Sequence, residues 1–176
     1  SVHKFLIVII MSTRKYGWAK PKEKPTNLYK FSISRTQPLI RKLDLTSMMP
    51  PVYDQGSLGS CTANALAACY QYCETKEKDP HPFVPSRLFI YYNERSVEGT
   101  VKEDCGAQIS DGIKVIHDIG VCPEITNDIY DSSKIWPYNI AKFSTKPPQI
   151  CYDVAKKNHS GLYKPIPQNI NHIKQS

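Results

Sequence analysis

The feature that most constrains this chain is a glycine- and serine-rich turn that leads into a cysteine and then into a helical pattern. It spans residues 51–67, with the sequence PVYDQGSLGSCTANALA. Ser60 is a residue type that favours helix N-caps, so we predict that Cys61 begins a helix. Backbone N–H groups and the positive end of the helix dipole stabilise a thiolate at that position. The stretch therefore predicts a reactive cysteine, with a small buried core thiol as the alternative.

A glutamine lies close before this cysteine in the sequence. Gln55 precedes Cys61 across a turn that contains two glycines, so its side chain can fold back beside the sulfur. Its amide N–H and the backbone N–H of Cys61 would then bind a developing oxyanion together. A nucleophilic thiol beside such donors is typical of acyl transfer through a covalent intermediate.

These residues resemble the active-site stretch of the papain-type cysteine peptidases, whose local signature surrounds the catalytic cysteine. The resemblance implies that Cys61 is the nucleophile, that Gln55 is the oxyanion-hole glutamine and that the substrate is a peptide or protein. It extends over residues 41–176, in the manner of compact microbial and viral members without a long prosegment. Leu58 replaces a disulfide-forming cysteine of many members, and Thr62 replaces an aromatic residue.

The resemblance also implies a substrate-binding surface. In the family, a glycine pair before the third helix pairs with extended substrate, and Gly106 and Ala107 fall at that position. An ordinary turn is the alternative for this pair. With Gly59 of the cysteine loop, they form the predicted substrate-binding set.

Spacing of apolar residues predicts four helical segments: residues 61–76, residues 86–94 with Ser86 as the cap, residues 109–119 with Gly120 as the stop, and a short piece within residues 146–157. The second helix is interpreted as scaffold, and Trp136-Pro137-Tyr138 as a packing turn. The apolar face predicted for the cysteine helix consists of Ala65, Leu66, Cys69, Tyr70 and Cys73.

The fold class predicted is α+β and papain-like, with a complete helical left lobe and only the start of the β-rich right lobe. Residues 1–40 are an irregular extension, and its aromatic residues would pin an extended arm to the folded body. Residues 41–158 are the helical lobe. Residues 159–176 begin the β-rich lobe with an edge strand over 161–166 and a helix from 171.

The catalytic base is missing from the predicted site. A papain-type thiolate needs a histidine and an orienting asparagine, which follow the cysteine by about 130–150 residues. None of the five histidines has the family's sequence context, although His159 is a candidate by residue type. We infer an N-terminal portion of a longer peptidase that is inactive alone. The alternative is a non-catalytic module that binds peptides or proteins. A transglutaminase-like acyl transferase is a third hypothesis, without local sequence support.

Charge and cysteine content exclude several other classes. The net charge of +7 carries no nucleic-acid recognition motif, so we interpret it as a solvated basic surface. The six cysteines contain no Cys-x-x-Cys pair, so no metal site is predicted, and no cofactor is expected. Reduced thiols and the absence of a convincing signal peptide favour an intracellular location. No membrane span is expected, because the apolar run at 5–10 is too short. The oligomeric state stays open.

Overall fold

A computed structural model describes residues 16–20, 42 and 44–161. Within them are four α-helices and two short 3-10 turns. The helices are α1 Cys61–Glu77, α2 Arg87–Glu98, α3 Ile109–Asp118 and α4 Gln149–Ala155, and the 3-10 turns are Thr46–Met48 and Ile140–Lys142. The first three helices pack against one another, and α1 begins directly after the loop that the sequence singles out.

The helix positions follow the local signals in the sequence. Helix α1 begins at Cys61 as predicted and ends within one residue of the expected end. Ser86 caps α2 through a hydrogen bond from the Phe89 N–H to its hydroxyl, at 3.1 Å. Helix α2 runs one turn beyond the predicted end before Gly99 stops it. The start of α1 and the cap of α2 are confirmed, whereas the predicted end of α2 is one turn too early. Caps and breakers act within a few residues of the helix end, which is why such local signals can be read from the sequence.

Helix α2 lies at the centre of the hydrophobic core. The side chains of four consecutive residues of this helix, Leu88, Phe89, Ile90 and Tyr91, are fully buried. Such all-round burial is the pattern of a central helix that is covered on every side. Ala63 and Ala67 of α1 and Val115 and Ile116 of α3 are buried as well. The interpretation of α2 as scaffold is consistent with this burial.

The predicted buried face of α1 is wrong. Ala65, Cys69 and Cys73 are exposed, and Leu66 and Tyr70 are only partly buried. The buried face instead carries small and polar residues, namely Thr62, Ala63, Asn64, Ala67 and Glu74. Apolar periodicity misassigned the face because the polar residues of α1 have buried partners elsewhere in the chain, which a periodicity argument does not see.

The described residues contain no β-strand, and only two isolated bridges join extended segments. Trp18 pairs with Ala107 in parallel orientation, and Pro85 pairs with Pro123 in antiparallel orientation. The predicted edge strand lies outside the described residues except for Gly161, and the predicted helix from 171 lies wholly outside them. In the part of the chain that the structure describes, no helix is both long and apolar enough to cross a bilayer.

Candidate active site

Cys61 is the first residue of α1 and is partly exposed. The first amides of an α-helix have no partner within the helix, so the backbone N–H at this position is available to a ligand. Ser60 occupies the N-cap position, but its side chain makes no capping hydrogen bond. Its hydroxyl lies 2.5 Å from the Tyr138 hydroxyl and accepts from Asn64 Nδ2 at 3.0 Å. The predicted cap is therefore confirmed in position and wrong in its contact.

Gln55 is fixed within the same loop. Its Nε2 donates to the Leu58 carbonyl at 3.0 Å, and its backbone carbonyl accepts from the Tyr138 hydroxyl at 2.9 Å. A side-chain amide carries two N–H donors, and the bond to Leu58 uses one of them. Leu58 stands where the family resemblance expects a disulfide cysteine, and here its carbonyl orients the glutamine.

A buried ion pair supports the loop from beneath. Arg87 at the start of α2 makes two bonds to the Glu124 carboxylate, from Nε at 2.9 Å and from Nη2 at 2.6 Å. The Arg87 backbone N–H also donates to this carboxylate, at 3.1 Å. Only about a tenth of each side chain is exposed. A bidentate pair with these extra bonds is the geometry in which a buried ion pair is well satisfied.

The third guanidinium nitrogen of Arg87, Nη1, bonds to the cysteine loop and to α1. Its Nη1 donates to the Asp54 carbonyl at 3.1 Å and to Asn64 Oδ1 at 3.0 Å. Its guanidinium also stacks over two aromatic rings, 4.6 Å from the centroid of Tyr53 and 3.9 Å from that of Tyr138. Cation–π contacts of this kind gain strength where water is excluded. Arg87 thereby joins the loop, the first turn of α1 and the core.

A second set of polar contacts joins the cysteine loop to the segment before α3. The Gly59 N–H donates to Asp104 Oδ1 at 2.9 Å, and the Tyr91 hydroxyl donates to the same oxygen at 2.7 Å. The Gly106 N–H in turn donates to the Tyr91 oxygen at 3.1 Å. Two members of the predicted substrate-binding set, Gly59 and Gly106, are therefore held together, and both are buried.

The third member, Ala107, pairs with the N-terminal arm. Its N–H donates to the Gly17 carbonyl at 2.8 Å, and its carbonyl accepts from the Ala19 N–H at 2.9 Å. Tyr16 and Trp18 on this arm are mostly exposed, at 79% and 56%. The prediction that aromatic side chains pin the arm is wrong for this part of it, because backbone bonds hold the arm instead.

Glycine is needed where the arm meets the loop. A Cβ on Gly17 would lie 2.0 Å from the Gly59 carbonyl oxygen and 2.6 Å from the Gly106 Cα. Gly106 has a positive φ of +81°, and a Cβ there would lie 1.7 Å from the Gly17 carbonyl oxygen. Side chains at either position are excluded by this close approach of three backbones. The arm thus lies directly against the residues that precede Cys61.

The described histidines have other surroundings. His159 donates through Nδ1 to the His117 carbonyl at 2.8 Å, and His117 pairs with the neighbouring Asp118 at 2.8 Å. His81 lines a groove beside the C-terminal half of α1. His3 and His172 lie outside the described residues. His159, the candidate base by residue type, is therefore bonded to the last turn of α3.

That groove is a separate feature, with a volume of about 810 Å³. It is lined by apolar side chains, by Cys69 and Cys73 and by the buried Glu74. Burial raises the pKa of Glu74 to about 7. Among the described residues, no group of three or more histidine, cysteine or acidic side chains could hold a metal ion. All six cysteines are free thiols.

Several residues of the site were not named as functional from the sequence. They include Asn64, Arg87, Tyr91, Asp104, Glu124 and Tyr138. Tyr138 was interpreted as part of a packing turn and Arg87 as part of a scaffold helix. Paired buried charges carry no local sequence signal, since each partner alone looks like a surface residue.

Known proteins resemble this chain in sequence and in fold, although no family profile matches it. An uncharacterized peptidase C1-like protein of Acanthamoeba polyphaga mimivirus is 45% identical over 131 residues, which cover 70% of this chain and 39% of that protein. The crystal structure of xylellain, a cysteine protease from Xylella fastidiosa, has 39% sequence identity and a TM-score of 0.76, and the match covers 94% of this chain and 65% of that one. The chain thus spans less than two thirds of each relative.

Proposed function

The chain is related in sequence and fold to the papain-type cysteine peptidases, and from that relationship we propose that it contributes the nucleophile and oxyanion hole of a cysteine endopeptidase. The observation that carries the proposal is the position of Cys61, partly exposed at the first residue of α1, in the loop where Gln55 is held. The loop and the start of the helix would together supply the nucleophile and the oxyanion donors of an acyl-transfer site.

In the proposed reaction, the Cys61 thiolate attacks the carbonyl carbon of a peptide bond. A C–S bond forms, and the negative charge on the oxygen is bound by the Cys61 backbone N–H and the Gln55 side-chain N–H. The C–N bond then breaks, and an imidazole protonates the leaving amine. Water hydrolyses the acyl-enzyme in a second step. The imidazole and its orienting asparagine are proposed to come from a part of the protein outside the described residues.

The same proposal covers domain organisation. Residues 41–158 form the helical lobe, and residues 159–176 begin a β-rich lobe that carries the base. The packing of α1, α2 and α3 around one core supports the first part. Gly59, Gly106 and Ala107 then line the peptide-binding side of the cleft. The N–H and carbonyl of Ala107 are bonded to the arm at Gly17 and Ala19, so an extended substrate would displace the arm to pair with them.

A second function, peptide binding without hydrolysis, is favoured by one observation. The backbone of Ala107 already pairs with an extended segment, the arm at Gly17–Ala19, through one donor and one acceptor. An edge that accepts one extended segment can accept another in its place. This hypothesis needs neither a base nor a reactive thiol.

Hydrolysis of a fluorogenic peptide by the product of the complete gene tests the first function. We expect Cys61→Ala to abolish turnover and Cys69→Ala, on the exposed face of the same helix, to leave it unchanged. Gln55→Ala should lower kcat by about 100-fold, the usual effect of removing one oxyanion donor. Turnover that survives Cys61→Ala would contradict the proposal. Tight peptide binding without turnover would favour the binding module.

A further inference from the structure

The Tyr138 hydroxyl bridges two residues of the cysteine loop, Gln55 and Ser60. It donates to the backbone carbonyl of Gln55 at 2.9 Å and lies 2.5 Å from the hydroxyl of Ser60, the residue before Cys61. The sequence separations of these contacts are 83 and 78 residues. Tyr138 is therefore a long-range link across the loop rather than a part of it.

The directions of these hydrogen bonds follow from the available protons. A carbonyl only accepts, so the single proton of Tyr138 is used on Gln55 and the Ser60 hydroxyl must donate to the Tyr138 oxygen. Ser60 then accepts from Asn64 Nδ2, at 3.0 Å. The Asn64 amide is oriented in turn, because its Oδ1 accepts from Arg87 at 3.0 Å. Asn64 Nδ2 also donates to the Ser60 backbone carbonyl, at 2.9 Å. Hydrogen bonds therefore connect Arg87 to Gln55 without a break.

The Tyr138 ring is held independently of its hydroxyl. Its centroid lies 3.9 Å from the Arg87 guanidinium carbon, and that guanidinium is fixed by its two bonds to Glu124. Burial raises the pKa of Tyr138 above its ordinary value, so the hydroxyl keeps its proton near neutral pH. The ring is thus placed by the pair of Arg87 and Glu124, and the hydroxyl is protonated and able to donate.

We propose that Tyr138 is a positioning residue of the oxyanion hole. It acts through Gln55 and Ser60, and it fixes the spacing between the Gln55 side-chain amide and the backbone N–H of Cys61. This inference rests on the proposed function. It assigns a chemical role to a residue that the sequence alone marks only for packing. A displacement of about 1 Å at such a site can cost up to 100-fold in rate.

Two reactions of Cys61 separate positioning from simple reactivity. Acylation by a p-nitrophenyl ester joins the sulfur to the carbonyl carbon, builds charge on the carbonyl oxygen and releases p-nitrophenolate. Alkylation by iodoacetamide displaces iodide from a saturated carbon and builds no oxyanion. The oxyanion hole therefore accelerates the first reaction only. Both rates are measured on the 176-residue chain by site-resolved mass spectrometry.

Tyr138→Phe removes the hydroxyl and keeps the ring over Arg87. We expect the acylation rate of Cys61 to fall about 10-fold while its alkylation rate stays within about twofold. Tyr152→Phe is the matched control, because it removes a hydroxyl that bonds Asn93 Oδ1 at 3.1 Å, away from the cysteine loop. It should change neither rate. Ser60→Ala cuts the same link from the other side and should reproduce the selective loss if Tyr138→Phe does not fold.

Each outcome has a defined meaning. Equal acylation of wild type and Tyr138→Phe, with Cys61 acylated selectively in both, overturns the positioning role and leaves the proposed function intact. A parallel fall of both rates also overturns it, because that result means lost access or folding. If wild-type Cys61 is acylated no faster than Cys69, there is no oxyanion hole to position, and both proposals fail together.

Discussion

The two ends of helix α1 differ in what surrounds their cysteines. At the N-terminal end, the residues on either side of Cys61 are buried, and a network through Tyr138, Asn64 and Arg87 fixes them. Towards the C-terminal end, Cys69 and Cys73 are exposed beside a groove of about 810 Å³. One helix thus carries a thiol in a fixed setting and two thiols on an open surface. The candidate site is therefore distinguished both by the place of Cys61 at the start of α1 and by the buried polar support beneath it.

Breaking the support at the N-terminal end should have the largest effect. Glu124→Ala leaves the buried Arg87 guanidinium without its bidentate partner, and breaking a buried pair costs about 3–5 kcal/mol. We expect the free energy of unfolding in urea to fall by that amount. Asp131→Ala is the control, since it breaks the exposed pair with Lys134 and should change little. Similar losses in both variants would remove the distinction between the buried pair and a surface pair.

The pH dependence of stability distinguishes two buried acids along α1. Burial raises the pKa of Glu94, beside Thr62, from 4.5 to about 8 and that of Glu74, at the groove, to about 7. A raised folded-state pKa means that the folded chain binds more protons, so stability falls as pH rises from about 5 to 8, by up to about 1.4 kcal/mol per pH unit for one group.

Two glutamine variants check this dependence. Glu94→Gln should flatten the slope more than Glu74→Gln, because Glu94 is fully buried and its Oε1 has no hydrogen-bond partner among the described residues. Urea unfolding at pH 5, 6, 7 and 8 gives the slopes. Glu77→Gln, at an exposed position on α1, is the control. A slope that is unchanged in Glu94→Gln, or stability that rises with pH in the wild type, would contradict the prediction.

The arm offers a smaller perturbation of the N-terminal end. Gly17→Val places a side chain against the Gly59 carbonyl oxygen, where a Cβ alone would lie 2.0 Å away. We expect the arm to detach and the Ala107 amide to exchange its hydrogen at least about 10-fold faster, because local opening frees a bonded amide. Tyr16→Ala is the control, since Tyr16 is 79% exposed. Unchanged protection of Ala107 would mean that the arm is not what covers this amide.

Changes at the C-terminal end should be smallest. Cys69→Ser and Cys73→Ser alter exposed side chains, so each should change the free energy of unfolding by less than about 0.5 kcal/mol. Thermal and urea unfolding measure this directly. A loss as large as that of Glu124→Ala would show that the groove side of α1 is as firmly supported as the cysteine loop.

Local features of this chain could be predicted from sequence, and long-range features could not. The start of α1, the cap of α2 and the end of α3 depend on residues within one turn of each boundary, so Ser60, Ser86 and Gly120 predict them. The buried face of α1 was mispredicted because Thr62 and Asn64 are satisfied by Glu94 and Arg87, which lie 32 and 23 residues away. Neither partner is visible in the periodicity of α1 itself.

The candidate site divides in the same way. Cys61 and Gln55 could be singled out from the sequence because one contiguous loop carries both, and their roles stay predictions. The contact from Gly59 to Asp104 spans 45 residues, and that from Arg87 to Glu124 spans 37. In the sequence, Asp104, Arg87 and Glu124 look like ordinary surface charges, because their partners lie far along the chain. The sequence did single out the turn that contains Tyr138, but only as a packing element. In the structure, the Tyr138 hydroxyl contacts the Gln55 backbone carbonyl and the Ser60 hydroxyl.

Competition between the three cysteines of α1 for one reagent tests the candidate site most directly. The intact chain is treated with limiting iodoacetamide at pH 7, and modification of Cys61, Cys69 and Cys73 is followed by peptide mass spectrometry. A helix N-terminus stabilises a thiolate, so Cys61 should react at least about 10-fold faster than Cys69 although it is less exposed. Rates that follow exposure, with Cys69 and Cys73 ahead of Cys61, would contradict the assignment of Cys61 as the nucleophile.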